Sequence, residues 1–305
     1  MLDKETLFYM SVDQLDDSAP LPEVFDLSGK VALVTGTLGL ALHVINRLSE
    51  MGAKVVFVGR SADVGKMVED DMCDRGREVS YFQADVSKVE DCYAMVDFAE
   101  QTYGTVDIVV PVAATWSARA FVDMKHEEFM KCINVDMVGQ YFTVQAAARS
   151  MIRGKKGGKI VTIASVAYRG DDTVDIAMMT NYNAAKGGVV GMTRGIAKEM
   201  KQYGINCNCV CPGGMITPGA VNNLEEPTRL YGEEWAKAVE ANGAITPVSS
   251  TPDQIALMIA TMCTPVSDFM YGQIIEVDGG SQFSFQKRPW SYTMEGGIPG
   301  PKKEA

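Results

Sequence analysis

Seven short runs of apolar, largely β-branched residues punctuate the chain: KVALVTG (30–36), AKVVFVG (53–59), EVSYF (78–82), VDIVVPV (106–112), GKIVTIA (158–164), INCNCV (205–210) and GQIIEV (272–277). Within most runs the apolar positions are continuous rather than alternating, as expected of strands covered on both faces. Longer segments lie between them, with apolar residues three and four apart, the spacing of amphipathic helices. Strands covered on both sides, each followed by a helix, predict an α/β chain: a doubly wound, seven-stranded parallel sheet with helices on both faces.

No internal repeat or low-complexity linker divides residues 27–284, and 305 residues can share one large core, so a single domain is expected there. Residues 1–26 form an acidic N-terminal extension whose apolar LFYM (7–10) should pack on the domain or on a neighbouring subunit. Residues 285–305 read as a tail that ends in Gly, Pro and charge.

Charge narrows the partners. A net charge of −11 repels phosphate backbones and anionic membrane surfaces, so nucleic acid is not expected as a partner. No stretch reaches the roughly 20 apolar residues of a membrane span, and the N-terminus lacks a basic start followed by an apolar run. A cytoplasmic protein is expected, and seven scattered cysteines agree with a reducing compartment. Cys207, Cys209 and Cys211 alternate along one strand, where they read as small buried residues rather than metal ligands; no metal site is expected. With only His43 and His126 in the chain, a histidine triad or histidine-rich metal site is disfavoured.

Three stretches carry candidate chemistry. The first strand runs into VTGTLGLALHV, where Gly36 and Gly39 allow a tight turn before a helix whose N-terminal amides suit a pyrophosphate. QADVS places Asp85 and Val86 at the end of the third strand, with helix capping as the plain alternative for the aspartate. NYNAAKGG (181–188) sets Tyr182 and Lys186 one helical turn apart, followed by two glycines that each cost a helix roughly 1 kcal/mol. At ~5 Å and an effective dielectric near ~20 the ammonium favours phenolate by roughly 3 kcal/mol, about two pK units. A tyrosine so placed can exchange a proton near working pH.

Taken in order, these motifs resemble the short-chain dehydrogenase/reductase family over about residues 27–284. The TGxxxGxG loop of that family is matched by Thr35, Gly36, Gly39 and Ala41, one residue shorter and with alanine for the last glycine; NNAG is replaced by Pro111–Ala114. The resemblance implies a Rossmann fold and a nicotinamide dinucleotide held by Gly36, Leu38, Gly39, Leu40, Arg60, Asp85, Val86, Ala113, Pro212, Gly213, Met215 and Thr217, with Tyr182 and Lys186. Gly59 replaces the acid that would bind the ribose of NAD, and Arg60 could pair with the phosphate of NADP. The glycine turn supplies no second cation, so NAD(H) is slightly favoured over NADP(H).

By the same resemblance Ser165, Tyr182, Lys186 and Asn134 are the catalytic set: Ser165 steadies a carbonyl oxygen, Tyr182 gives it a proton, Lys186 acidifies the tyrosine, and Asn134 holds a water beside the lysine. Trp116, Tyr168, Met178 and Met179, with Met215, are expected to form a wide apolar substrate wall. The pattern is similar to gut-bacterial hydroxysteroid dehydrogenases of this family, including the 20β type that reduces a C20 side-chain ketone of cortisol-like steroids. Steroid is thus the leading substrate; a sugar or polyol dehydrogenase of the gluconate or sorbose type is the runner-up, and a non-catalytic nucleotide-binding protein the reading from another class. A homo-oligomer, tetramer or dimer, is implied as well.

Overall fold

A computed structural model of the chain describes residues 21–170, 178–215, 225–235, 237, 250–280, 292–295 and 298–301. The LFYM patch and Thr217 lie outside the described residues.

All seven predicted runs are strands: β1 Val31–Thr35, β2 Lys54–Gly59, β3 Val79–Gln83, β4 Ile108–Pro111, β5 Gly158–Ile163, β6 Ile205–Pro212 and β7 Ile274–Val277. They form one sheet in the order β3-β2-β1-β4-β5-β6-β7, and every neighbouring pair is parallel. The helices between them are α1 Leu40–Glu50, α2 Ala62–Asp74, α3 Val89–Tyr103, α4 His126–Ile133, α5 Gly139–Gly154, α6 Thr180–Met200, α7 Glu225–Tyr231 and α8 Pro252–Met262. Near the C-terminus β8 Tyr292–Glu295 pairs antiparallel with β9 Ile298–Pro301, where the sequence predicts only a tail.

Continuous apolar strands arise because successive residues feed two different cores. Ala32, Val34, Val55, Phe57, Ile108 and Val110 pack with Val44, Ile45 and Leu48 of α1 and Ile255 and Ile259 of α8. Leu33, Val56, Val58 and Val109 point the other way, onto Met95 and Val96 of α3, Ala147 and Met151 of α5, and Ala197 of α6. Each Val, Leu, Ile, Phe or Met among them contributes about 1.5–3 kcal/mol on burial, so a polar residue on either face of a central strand would be costly. Cys207, Cys209 and Cys211 are fully buried on β6, and Sγ of Cys209 lies 3.8 Å from Sγ of Cys211.

The edges of this frame are fixed by polar pairs. Thr251 and Gln254 close a capping box at the start of α8, with proline at its first turn. Arg47 of α1 donates to both carboxylate oxygens of Asp253 on α8, at 2.8 and 2.6 Å. Because the strand order reverses between β1 and β4, a crevice opens beyond their C-terminal ends, where ligands of such sheets bind.

Candidate active site

At that switch point lies a cavity of about 840 Å³. Its floor is the turn between β1 and α1. Gly36 has φ 104° and Gly39 has φ 59° with ψ −131°, backbone states that a side chain strains. A Cβ on Gly36 would fall 2.8 Å from Cβ of Ala41, so this glycine lets the turn fold back onto α1. No side chain caps the start of α1, whose first amides therefore remain for an anion. Leu38, Leu40, Arg60, Asp85, Val86 and Ala113 line the same cavity. Asp85 Oδ1 accepts from both N and Oγ of Ser87, at 3.0 and 2.8 Å. Burial works against its charge, yet these bonds, with Arg60 and Lys88 nearby, hold its carboxyl below the usual value.

The other end of the cavity gathers Ser165, Tyr182, Lys186, Pro212, Gly213 and Met215. Ser165 follows β5 in an extended conformation and accepts a hydrogen bond from the backbone N–H of Ala167. Its hydroxyl lowers the pKa of the Tyr182 phenol. Tyr182 and Lys186 share a face of α6, the ammonium lying 5.2 Å from the centre of the phenol ring. Lys186 Nζ donates to the carbonyl of Ile163 at 3.1 Å and stands 3.0 Å from Oδ1 of Asp136. Asp136 is wholly buried, and its Oδ2 accepts from the backbone N–H of Thr115 at 2.8 Å. Burial opposes the lysine's charge, but Tyr182 and Asp136 hold its pKa above the ordinary value. The phenol is also raised: burial lifts it, Lys186 pulls it down, and Asp136 lifts it again. The expectation that Lys186 brings Tyr182 toward neutral pH is thus corrected, because burial and a second charge outweigh the ammonium.

The second of the two glycines after Lys186 is explained by packing; nothing in the structure explains Gly187. A Cβ on Gly188 would lie 2.3 Å from Sδ of Met137, so its absence lets α6 press against the turn that carries Asp136. That turn, Asn134–Val138, is a π-helical step between α4 and α5.

The profile of the short chain dehydrogenase family matches residues 30–228. The chain belongs to that family. It is 32% identical over 260 residues to a 3-oxoacyl-[acyl-carrier-protein] reductase FabG of Chlamydia muridarum, covering 83% of this chain and 98% of the other. It is 27% identical to an L-rhamnose-1-dehydrogenase of Scheffersomyces stipitis, over 83% and 96% of the two chains. A crystal structure of an actinorhodin polyketide ketoreductase with NADPH superimposes with a TM-score of 0.75, at 28% identity, over 83% of this chain and 97% of that one.

As a short-chain dehydrogenase, the chain is an oxidoreductase of CH–OH and keto groups and takes a nicotinamide dinucleotide. The cavity fits such a group: open helix amides and strained glycines at one end, and a cation, a phenol and a hydroxyl at the other.

Three expected positions fall elsewhere in this short-chain dehydrogenase. Asn134 does not line the cavity, and among the described residues the carboxamide makes no bond to Lys186. Residues two apart on a helix face nearly opposite ways, and the side chain of this turn that stands beside Lys186 is that of Asp136. Tyr168 turns away from the cavity and donates its hydroxyl to Oε1 of Glu276 on β7 at 2.9 Å, because that carboxylate, also paired with Arg169, is its nearest strong acceptor. Met178 has φ 49° and its carbonyl accepts from the Arg119 N–H at 2.8 Å; this kink before α6 keeps its side chain off the cavity wall. Trp116, Met179 and Met215 do line the cavity, and Trp235 joins them. Trp235 packs 5.9 Å from Tyr231. The missed Asp136 had one sequence signal: an acid four residues from Cys132 and from Gln140, on a face otherwise buried.

Proposed function

We propose that this short-chain dehydrogenase interconverts a ketone and a secondary alcohol on a bulky, flat, apolar substrate, with a steroid as the substrate class. The observation that carries this reading is the wall beside Ser165 and Tyr182: Trp116, Met179, Met215 and Trp235, with large apolar side chains and few polar groups. Against these described residues a sugar would leave hydroxyls unpaired, at a cost of about 1–3 kcal/mol each. None of the relatives named above is named for a steroid, and substrate class therefore rests on the wall.

In the reductive direction Tyr182 holds a proton at its phenol oxygen and gives it to the substrate oxygen. Its raised pKa means that the proton is present at neutral pH. Ser165 donates a hydrogen bond to the same oxygen. Lys186 keeps the phenol oriented from one turn away and supplies positive charge as the proton leaves. The nicotinamide dinucleotide, when bound, supplies or accepts the hydride. Gly36, Leu38, Gly39 and Leu40 would hold its phosphates, Asp85 and Val86 its adenine end, and Ala113, Pro212, Gly213, Met215 and Thr217 its nicotinamide end. NAD(H) is the preferred form in this reading: Arg60 is the one cation among the lining residues at the adenine end, and the turn from Gly36 to Gly39 adds none. Residues 27–284 act as one unit, and the four half-buried residues of edge strand β7 support assembly into a dimer or tetramer, which light scattering would test. A cytoplasmic location belongs to the same reading; among the described residues no helix is long and apolar enough to cross a membrane.

A panel of cortisol and fructose with NADH and NADPH tests the reading. Oxidation of NADH with cortisol is expected. Turnover of fructose without cortisol would replace steroid by sugar, and a hundredfold preference for NADPH would overturn the assignment of NAD(H).

A further inference from the structure

Behind the lysine of the site stands a carboxylate with no assigned part in the chemistry. Among the described residues Asp136 is the one acid within ion-pair distance of Lys186, at 3.0 Å. Both groups are shut away from solvent, with Asp136 0% and Lys186 1% exposed. Neither can swing free. Thr115, on the loop after β4, fixes one oxygen of Asp136 through its backbone N–H. Gly188 seats α6 against Met137, the next residue of the π turn. Ile163 holds the ammonium through its carbonyl.

We propose that Asp136 raises the pH at which Tyr182 becomes available as the base for alcohol oxidation, by pinning Lys186 from behind and offsetting the positive charge that Tyr182 would otherwise feel. The inference rests on the proton-transfer role proposed for Tyr182. A buried ammonium alone would draw the phenol down by about two pH units at ~5 Å. A carboxylate 3.0 Å from that ammonium returns part of the shift through its opposite charge. The pair then acts on the phenol as a dipole rather than as a full charge. Tyr182 remains an acid at neutral pH, and its conjugate base, which alcohol oxidation needs, forms only at higher pH.

Of the other titratable groups around the pair, Cys132 alone also raises the phenol, and by less than Asp136 does. Cys132 of α4, whose Sγ donates to the carbonyl of Thr115, is pushed up to about 12 by burial and stays a neutral thiol. Cys209 and Cys211 of β6 feel Lys186 from the sheet side, and neither acts on Tyr182 directly. Lys131 is exposed at the cavity mouth. The remaining charges at the phenol are those of Lys186 and Asp136.

The test compares the protein with Asp136→Asn, Asp136→Ser and Asp136→Glu. The phenolate of Tyr182 is titrated by ultraviolet absorbance in the protein without ligand, with the matching Tyr182→Phe double variants subtracted, and the pH profile of kcat/KM for alcohol oxidation is recorded alongside. Both neutral variants are expected to move the phenolate midpoint and the acid limb of the profile down by about one pH unit, with Asp136→Glu close to the parent. Circular dichroism and melting establish which variants fold, and either neutral variant suffices. An unmoved midpoint in a folded neutral variant would overturn the inference, since it would mean that Asp136 is uncharged or that its charge does not reach the phenol. The same holds if Asp136→Glu shifts as far as Asp136→Asn, which would make the role one of shape. Should Tyr182→Phe keep full turnover, the proton-transfer reading falls instead, while the absorbance titration still reports whether Asp136 acts on the phenol.

Discussion

Tyr182 faces opposing influences of different origin, and its behaviour follows from which of them wins. Burial lifts the phenol, Lys186 lowers it and Asp136 lifts it again, leaving it above its usual value. Reduction, which needs the protonated form, should therefore hold its rate through neutral pH and fall only as pH rises past that raised value, the reverse of the oxidation limb. Tyr182→Phe removes the proton altogether and should cost about 10²–10⁴ in kcat, measured by steady-state assay, with cofactor binding retained in a fluorescence titration. The chain showed Tyr182 and Lys186 through their spacing and Ser165 through its resemblance to the family's serine, and the cavity contains all three. It did not show Asp136. An acid two letters beyond an asparagine looks interchangeable with it in a string; only the direction of each side chain around the helix separates them.

At the scale of elements, most strands were legible because they must satisfy two cores at once, which favours a run of apolar letters with few gaps. Helix α8 starts at a capping box of Thr251 and Gln254 with Pro252 at its first turn, a signal of the kind that letters can carry. The π step from Asn134 to Val138 had no such sign, since an extra residue in a helix changes no composition and breaks no apolar run. Nor did the kink at Met178, which arises from a bond to the Arg119 N–H far along the chain. The contact between α6 and the π step has a measurable consequence. Gly188→Val would bring a side chain against Met137, whose Sδ lies 2.3 Å from the site of a Cβ. Overpacking of this kind should cost about 1–3 kcal/mol in urea denaturation. It should also lower kcat more than it weakens cofactor binding, since it moves the catalytic helix and leaves the glycine turn alone.

The molecule as a whole carries a charge of −11, so the cation–carboxylate pairs that join its helices matter to its acid tolerance. Arg47 and Asp253 tie α1 to α8, both about 30% exposed in their side chains. The Arg47 guanidinium holds the Asp253 carboxyl below its ordinary value. A carboxyl lowered on folding stabilises the native state above the unfolded pKa of about 3.9, and that contribution disappears as pH falls through the folded value. Solvent screening limits it to about 0.2–1 kcal/mol. Asp253→Asn should therefore lower the urea midpoint at neutral pH and leave it nearly unchanged at about pH 2, where the parent has lost the pair too. Composition revealed the overall charge but could not show which pairs bridge α1 and α8, because 206 positions of chain separate Arg47 from Asp253.

The π step also constrains how this stretch can change length. Deleting a single position such as Val135 would let α4 and α5 fuse into one uninterrupted spiral, rotating one half by about 100° against the other. A different letter would then be dialled into the spot opposite the ammonium, with no substitution made. Length between Lys131 and Gly139 is accordingly a form of chemical information, and counting letters across an insertion there would match the wrong residue to the lysine.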